Sequence, residues 1–360
     1  MKKVGLITYH KSYNYGAMLQ VYATQYIIKK MGYDCKIIDY VNKDEEKENK
    51  LFFYKKNFTF MHNVKDLLRN IFLKSYFIRN NNFKNFINKL DRTKKVTNCT
   101  EISQLRFDTY IVGSDQVWNP LITGNKFEPA YLLDFSAKKK ISFASSMGSH
   151  KLNNSEMIYI KDKLSNFNAI SVREKFAKEQ LNELGINCKI VCDPTLLIDK
   201  NDWINNCYDD SILNGIPKNY IILYLLEPFS NKISEILLKV KSVYNLPIVY
   251  IAFSNSKKKN VDYHLTNVTP ERFVCLINNS DLVLTDSFHG TAFSVNLNKQ
   301  FISILNPSNP KRVEDFLTFL GLEENIYNEK ITKNFIDYKK INSKIESIIN
   351  DSIEFLKQNL

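Results

Sequence analysis

Short runs of apolar residues alternate with longer amphipathic segments along most of this 360-residue chain. The first run, Val4–Thr8, precedes a polar loop and then a helical pattern from Ala17 to Met31, which Gly32 ends. A second run, Lys36–Tyr40, follows directly. A strand, a helix and a second strand in this order predict the opening of a Rossmann-like α/β unit with a right-handed crossover.

The same alternation continues further along the chain in two groups. The first group has strand-like runs at Thr109–Val112, Ile141–Ala144, Ala169–Val172 and Lys189–Cys192. The second group has strand-like runs at Tyr220–Leu225, Ile248–Ala252, Leu282–Thr285 and Phe301–Ile304, with helical patterns at Asn231–Tyr244, Pro270–Asn278 and Val313–Leu320. The predicted fold class is therefore α/β, with one Rossmann-like domain over 1–210, a second over 211–330 and a closing helix over 331–360 that packs on one of the two.

A long insertion, 42–100, separates the second and third strands of the first domain. Within Leu51–Lys95, basic and aromatic residues are interleaved. One interpretation is an amphipathic helical pair whose rings pack in the core while its lysines face water. The other is a surface that rests on an anionic membrane, where cations meet phosphates and rings enter the interface. The sequence alone does not decide between these two interpretations. We expect no nucleic-acid partner.

Composition narrows the class of protein and its compartment. The 50 basic and 38 acidic residues give a formal net charge of +12, which favours an anionic partner. No apolar stretch approaches the roughly 20 residues that span a bilayer, and the first apolar run is too short for a secretory signal. We therefore expect a cytoplasmic protein, at most peripheral at the inner membrane face. The cysteines are expected to be reduced, buried thiols without zinc-site spacing, so that no metal is expected: Cys35, Cys99, Cys188, Cys192, Cys207 and Cys275.

Polar loops follow three predicted strands, at the sheet edge where open α/β proteins bind ligands. The first loop lacks G-x-G-x-x-G, which disfavours a dinucleotide, and provides Asn14, Tyr15 and Gly16 ahead of a helix N-terminus. The second has polar groups and a tryptophan, a composition typical of a sugar site: Ser114, Asp115, Gln116 and Trp118. The third carries two small hydroxyl side chains that suit either an anion or a simple turn: Ser145 and Ser146.

The most informative junction follows the strand that ends at Thr285. It places His289 at the carboxyl end of that strand, just before a helix that is expected from Ala292 onward. An imidazole here can exchange protons beside an anion bound at the helix N-terminus. The alternative is a histidine that only caps the helix. The neighbours expected to line the same site are Ser287, Gly290 and Thr291.

Three basic residues stand out as partners for an anion. Arg173 follows the strand Ala169–Val172, and its planar guanidinium suits a carboxylate or a phosphate. Lys311 and Arg312 precede an amphipathic helix and add charge from the second domain. The alternative for each is an ordinary surface salt bridge.

Five short motifs occur in order along the chain. They are Tyr13–Gln20 (YNYGAMLQ), Gly113–Trp118 (GSDQVW), Ser171–Glu174 (SVRE), Asp193–Leu197 (DPTLL) and Asp286–Gly290 (DSFHG). With these motifs the chain resembles the polysaccharide pyruvyl transferases. The resemblance implies two Rossmann-like domains in a GT-B-like arrangement with a cleft between them. It also implies phosphoenolpyruvate as donor, a sugar diol on a lipid-linked surface-polysaccharide precursor as acceptor, and no cofactor.

The resemblance implies that His289 and Arg173 lie in the active cleft, as the acid that protonates the donor and as its anion clamp. The chain departs from the family at Ser287–Phe288, where many members have arginine and leucine. The donor contact of that arginine then falls to Lys311 or Arg312.

The two domains are expected to bind different ligands. Asn14, Ser114, Asp115 and Gln116 in the first domain are expected to contact the acceptor, and the surroundings of His289 the donor. Two alternatives share the fold, because fold does not determine function. One is a GT-B glycosyltransferase that uses a nucleotide-sugar, and the other is a catalytically silent homologue that binds a glycan or a membrane.

Overall fold

The computed structural model describes residues 1–41, 78–207, 213–253, 256–307, 309–333 and 335–360 of the chain. Two parallel β-sheets organise these residues into two halves. The first sheet has the hydrogen-bonded order β2-β1-β3-β4, and the pair β5-β6 continues it through isolated bridges such as Ile141 to Ala169. Its strands are β1 Lys3–Ile7, β2 Asp34–Ile37, β3 Thr109–Val112, β4 Lys140–Ser142, β5 Ser171–Val172 and β6 Lys189–Ile190.

The second sheet has the order β11-β10-β7-β8-β9, again with every pair parallel. Its strands are β7 Ile221–Tyr224, β8 Ile248–Ile251, β9 Tyr263–Leu265, β10 Leu282–Thr285 and β11 Phe301–Ser303. The strand order reverses between β1 and β3 in the first sheet, and between β7 and β10 in the second. Open α/β sheets bind ligands at the carboxyl ends of the strands beside such a reversal.

Helices cover both faces of the two sheets, which explains why the central strands are apolar along their whole length. Most of these helices begin at a capping side chain: Asn14, Asn98, Asn153, Ser230, Thr269, Ser287 and Asp337 each accept a bond from a backbone N–H of the first turn. The helices are Tyr15–Lys30, 78–88, Cys99–Ser103, Asn154–Leu164, Lys175–Glu183, Lys200–Cys207, Asn231–Tyr244, Pro270–Asn279, Phe288–Asn296, Lys311–Leu320 and Tyr338–Asn359.

The two halves are joined by a shared apolar core. The Tyr15 ring of the first half stacks on Phe273 of the second, with ring centroids 4.8 Å apart. Nearby, Asn296 Nδ2 donates to the carbonyl oxygens of Thr195 and Ile198, both at 3.0 Å. The stacked rings and these two hydrogen bonds fix the relative position of the halves.

The helix Tyr338–Asn359 follows the second half and returns to the first. Phe355 stacks on Phe143 with centroids 6.3 Å apart, and Ser352 Oγ accepts the backbone N–H of Cys192 at 2.9 Å. At its other end, Lys344 Nζ donates to the carbonyl of Leu320 in the second half. The expected closing helix therefore packs on both halves.

Several elements differ from the sequence prediction. The second strand is Asp34–Ile37 rather than Lys36–Tyr40, and the short edge strand β9 was not predicted. The helix after β10 begins at Phe288 rather than at Ala292, because Ser287 Oγ caps it by accepting the backbone N–H of Gly290.

Much of the insertion, 42–77, lies outside the described residues, so that the choice between membrane contact and packing stays a prediction there. In the helix over 78–88, Phe83 and Phe86 are buried, and Phe83 packs against Tyr15 with centroids 5.0 Å apart. These two rings are core residues, as the first interpretation expects. Among the described residues, no helix has the length and apolar character needed to cross a bilayer.

Candidate active site

A cavity of about 320 Å³ lies in the cleft between the halves. It opens at the carboxyl ends of β1 and β3 from one sheet and of β7 and β10 from the other. Both halves therefore contribute to its walls. Six of the residues singled out in the sequence line it: Asn14, Asp115, Gln116, Ser287, His289 and Arg312.

His289 lies in the first turn of Phe288–Asn296, and its imidazole is buried at the junction of the halves. Its Nε2 is 3.5 Å from Asp193 Oδ2. Burial alone would raise the pKa of Asp193, but the neighbouring His289 and Arg173 hold that pKa well below its usual range. On its other side the imidazole packs against Gly16, where a Cβ atom would lie 2.7 Å from His289 Cβ and closer still to the ring. Only glycine leaves room for the histidine at this position.

Arg173 is buried behind the cavity rather than exposed in it. Its Nε donates to Glu174 Oε1 at 3.0 Å, and its Nη1 donates to Asp193 and to Ser114 Oγ. Burial disfavours its charge, but Glu174 and Asp193 outweigh this and raise the pKa of Arg173 above its usual value. The expected open clamp is thus engaged by two carboxylates, and Nη2 alone has no hydrogen-bond partner among the described residues.

Arg312 is the guanidinium that reaches the cavity. Its side chain is 10% exposed, and its nearest carboxylate oxygens are Glu174 Oε1 at 3.6 Å and Asp115 Oδ1 at 4.0 Å. Neither Nε nor Nη2 has a hydrogen-bond partner within the described part of the chain. Burial and the neighbouring Arg173 lower the pKa of Arg312 to about 10, so that it is still charged at neutral pH.

Lys311, the other basic candidate from the second half, points away from the cavity. Its side chain is 60% exposed and pairs with Glu314 at 3.1 Å. Phe288 lies beside both arginines, with its ring centroid 4.9 Å from Arg312 Cζ and 4.6 Å from Arg173 Cζ. The aromatic ring supports the two like-charged groups through cation–π contacts.

The first-half loops contribute polar groups that also connect the halves. Asp115 has a left-handed backbone, with φ of 77°, which is uncommon for a residue other than glycine. Gln116 Oε1 accepts hydrogen bonds from Asn119 Nδ2 at 2.8 Å and from Asn309 Nδ2 of the second half at 3.1 Å. Asn14 Oδ1 caps Tyr15–Lys30 by accepting the N–H of Gly16 at 2.9 Å. The positive end of that helix faces the cavity.

Three expected ligand contacts are instead part of the packed interior. The Trp118 ring is fully buried, and its Nε1 donates to the carbonyl of Tyr131 at 2.9 Å. The Tyr15 hydroxyl donates to the carbonyl of Val268 at 3.1 Å, within the apolar junction of the halves. Ser145 Oγ donates to the carbonyl of Gly113 at 3.0 Å. Each of these polar groups is satisfied inside the protein, away from the cavity.

Four more expected contacts form a layer beneath the cavity wall. Ser114 Oγ donates to Asp193 Oδ2 at 3.2 Å, and Ser146 Oγ donates to Glu174 Oε1 at 2.8 Å. Thr291 Oγ1 and Ser303 Oγ lie 2.7 Å apart. Gly290 lets its helix approach β10, since a Cβ atom there would lie 3.0 Å from Thr285 Cβ. These residues position their neighbours and do not line the cavity.

The sequence reasoning missed a second group of charged residues, of which His10 and Lys11 line the cavity. Asp39, just after β2, accepts from His10 Nε2 at 3.2 Å, pairs with Lys11 and accepts from Arg92 Nη1 at 3.2 Å. Burial opposes the charge of Asp39, but its hydrogen bonds from His10 and Lys11 hold its pKa well below the usual range. The sequence could have indicated this group, because His10, Lys11 and Asp39 follow the carboxyl ends of two adjacent strands, where ligand sites form.

Comparison with known proteins extends these observations. A family model described as polysaccharide pyruvyl transferase matches residues 14–309. No curated protein matches the chain. Within the described part of the chain, no three His, Cys, Asp or Glu side chains are grouped as metal ligands.

Two solved structures illustrate the fold. UDP-GlcNAc 2-epimerase from Neisseria meningitidis, bound to UDP-GlcNAc, is similar with a TM-score of 0.54 and 11% identity, over 100% of this chain and 99% of that one. UDP-GlcNAc 2-epimerase from Methanocaldococcus jannaschii has a TM-score of 0.50 and 15% identity, over 97% and 93%. The likeness confirms the predicted fold class, two Rossmann-like units in a GT-B-like arrangement with a cleft between them.

Proposed function

Because the chain belongs to the polysaccharide pyruvyl transferase family, we propose that it transfers the enolpyruvyl group of phosphoenolpyruvate to a sugar diol. The acceptor is a precursor of a bacterial surface polysaccharide, and the products are a pyruvate ketal and phosphate. The observation that supports this most strongly is that His289 and Arg312 line the same cavity. The first is a proton donor, and the second is a cation with unpartnered N–H groups.

The reaction needs a proton, an anion clamp and two hydroxyl groups in one site. Protonation of the donor's methylene carbon by His289 makes a methyl group and leaves cation character on the neighbouring carbon. One sugar hydroxyl attacks that carbon, the C–O bond to phosphate breaks, and the second hydroxyl closes the ketal. Of the two hydroxyl protons released, one balances the proton that His289 gave and the other leaves with phosphate.

Arg312 is the proposed partner of the donor's carboxylate or phosphate. The family's arginine is absent at Ser287, and Arg312 lies next to Phe288 with Nε and Nη2 unpartnered among the described residues. Burial strengthens such a charge-assisted hydrogen bond, because few water molecules compete for it. Arg173 contributes charge from behind the cavity rather than a direct fork, which revises its expected role as the donor clamp.

The acceptor is proposed to lie against the first half. Asn14, Asp115 and Gln116 line that side with neutral and acidic polar groups that suit sugar hydroxyls. A lipid-linked acceptor would bring the protein to the inner membrane face. The proposed contact of Leu51–Lys95 with anionic lipid belongs to this part of the proposal.

Ligand-induced stabilisation tests the donor directly. A ligand that binds only the folded state stabilises it by about 2.7 kcal/mol at a hundred times its Kd. Thermal unfolding should be displaced upward by phosphoenolpyruvate and not by UDP-N-acetylglucosamine, which the Neisseria epimerase binds. Stabilisation by the nucleotide-sugar alone would favour the alternative, a glycosyltransferase, and no effect of either would favour the silent homologue.

A further inference from the structure

One buried carboxylate contacts both residues that the resemblance assigns to catalysis. Asp193 belongs to the first half, where it caps the short 3-10 turn Pro194–Leu196, and its side chain is fully buried. Its Oδ2 accepts hydrogen bonds from Arg173 Nη1 and from Ser114 Oγ, and lies 3.5 Å from Nε2 of His289. The carboxylate of one half therefore faces the imidazole of the other.

The carboxylate of Asp193 is held in a single orientation. Its second oxygen, Oδ1, accepts the backbone N–H of Thr195 at 3.0 Å and the Thr195 hydroxyl at 2.8 Å. With Oδ1 engaged in this way, Oδ2 alone is directed at Arg173 and His289. Because these bonds prevent the carboxylate from rotating, the negative charge of Oδ2 keeps a fixed position beside the His289 ring.

The two ring nitrogens of His289 have different surroundings. Nε2 is enclosed beside Asp193, and none of the described residues satisfies it with well-formed hydrogen-bond geometry. Nδ1 lies on the side of Gly16, at the start of Tyr15–Lys30, where the neighbouring Asn14 and Ala17 line the cavity. The nitrogen that faces a carboxylate favours the proton, so that the partner decides the tautomer.

We propose that Asp193 is a positioning residue for His289, which keeps a proton on Nε2 and leaves Nδ1 to exchange a proton with the ligand in the cavity. In the acid form both nitrogens carry protons, and Nε2 faces Asp193 Oδ2. The Nδ1–H bond then breaks as the C–H bond of the new methyl group forms. The ring becomes neutral with its proton on Nε2. This step rests on the proposed function, whereas the choice of tautomer does not.

The tautomer can be measured without any substrate. The chain has five histidines, so long-range proton–nitrogen correlation spectra of 15N-histidine-labelled protein are simple, and a His289→Gln variant assigns the signal. We expect neutral His289 to carry its proton on Nε2 in the wild type and to be a mixture of tautomers in Asp193→Asn. A proton on Nδ1 in the wild type, or the same tautomer in both proteins, would overturn the proposal.

Turnover provides the second readout. In Asp193→Asn, kcat should fall at least about tenfold, because a general acid contributes roughly 10²–10⁴-fold and a misoriented one loses part of this. Donor affinity should stay within about twofold. A collapse of donor affinity with an unchanged kcat would mean that Asp193 serves only Arg173.

Two further variants keep the test decisive if Asp193→Asn folds poorly. Thr195→Val keeps the charge and the backbone N–H bond to Oδ1 but removes the hydroxyl bond, and should produce a smaller change in the same direction for tautomer and kcat. Ser114→Ala disturbs the same buried network through Arg173 and Oδ2, and should lower stability while His289 keeps its tautomer. A wild type with the Nε2 proton but no affinity for phosphoenolpyruvate would reject the proposed function and retain the positioning.

Discussion

Gly16→Ala should disable the site through one added methyl group. The new Cβ atom would lie 2.7 Å from His289 Cβ, whereas ordinary van der Waals contact begins near 3.4 Å. The stem of the histidine must therefore recede by more than about 0.7 Å, and the ring further. A misplacement of about 1 Å costs roughly a hundredfold in rate, and overpacking costs about 1–3 kcal/mol of stability.

A double-mutant cycle isolates the contact. The free energy of unfolding is measured in urea for the wild type, for Gly16→Ala, for His289→Ala and for the double variant. His289→Ala removes the contacts of the methyl group with the ring and leaves only its contact with Cβ. Gly16→Ala should therefore cost clearly less stability in that background, so that the two changes are non-additive. Phosphate release from phosphoenolpyruvate, normalised to folded protein, reports the rate.

Gly5→Ala is the matched control, because its Cβ atom would lie 2.8 Å from Phe107 Cε2, in the core of the first half, and neither residue lines the cavity. It should lose comparable stability and retain its rate per folded molecule. Additive effects of Gly16→Ala and His289→Ala on stability, or wild-type turnover by folded Gly16→Ala, would refute the contact as described.

Three further predictions concern charge and thiols. Arg312→Gln should raise the Kd for phosphoenolpyruvate about tenfold or more, since a hydrogen bond to a charged group contributes roughly 1.5–3 kcal/mol, while calorimetry on the exposed, neighbouring Lys311→Gln should show no change. The free energy of unfolding should fall as pH drops below about 4, the pKa of an aspartate in the unfolded chain, because the pKa of Asp39 is lower in the folded protein and its stabilising charge is lost as it is protonated. Urea titrations of Asp39→Asn should show a shallower fall with pH, and an equally steep one would count against the ion cluster. Iodoacetamide should modify Cys99 first, since the other thiols are buried, and slowly, since burial raises the pKa of Cys99 to about 11. Rapid modification of all six cysteines without denaturant would contradict this packing.

The sequence predicted most strands because each is a short apolar run bounded by polar loops. Fully buried parallel strands such as Ile221–Tyr224 are unmistakable in this respect. The short edge strand Tyr263–Leu265 escaped because it is half exposed and has no such run. The predicted start of the helix after β10 was wrong because several hydroxyl residues of this segment could cap a helix, and the sequence does not show that Ser287 is the one that does.

The candidate site was predictable in position and not in detail. The rule that ligands bind at strand ends singled out Asn14, Asp115, Gln116 and His289, and all four line the cavity. It could not tell which polar side chains turn inward, because Trp118 is satisfied by a carbonyl oxygen that lies 13 residues away. Partners so distant along the chain are set by tertiary packing and leave no local signal.

Because Tyr338–Asn359 packs on the first half, that half cannot complete its core until the end of the chain has been synthesised. Phe143 and the backbone of Cys192 are covered by a segment that leaves the ribosome only after the whole second half. The nascent first half must therefore wait with part of its apolar surface uncovered, in the condition that chaperones recognise. Cutting the chain between the halves would yield one fragment with an open core and another with an unpaired amphipathic helix.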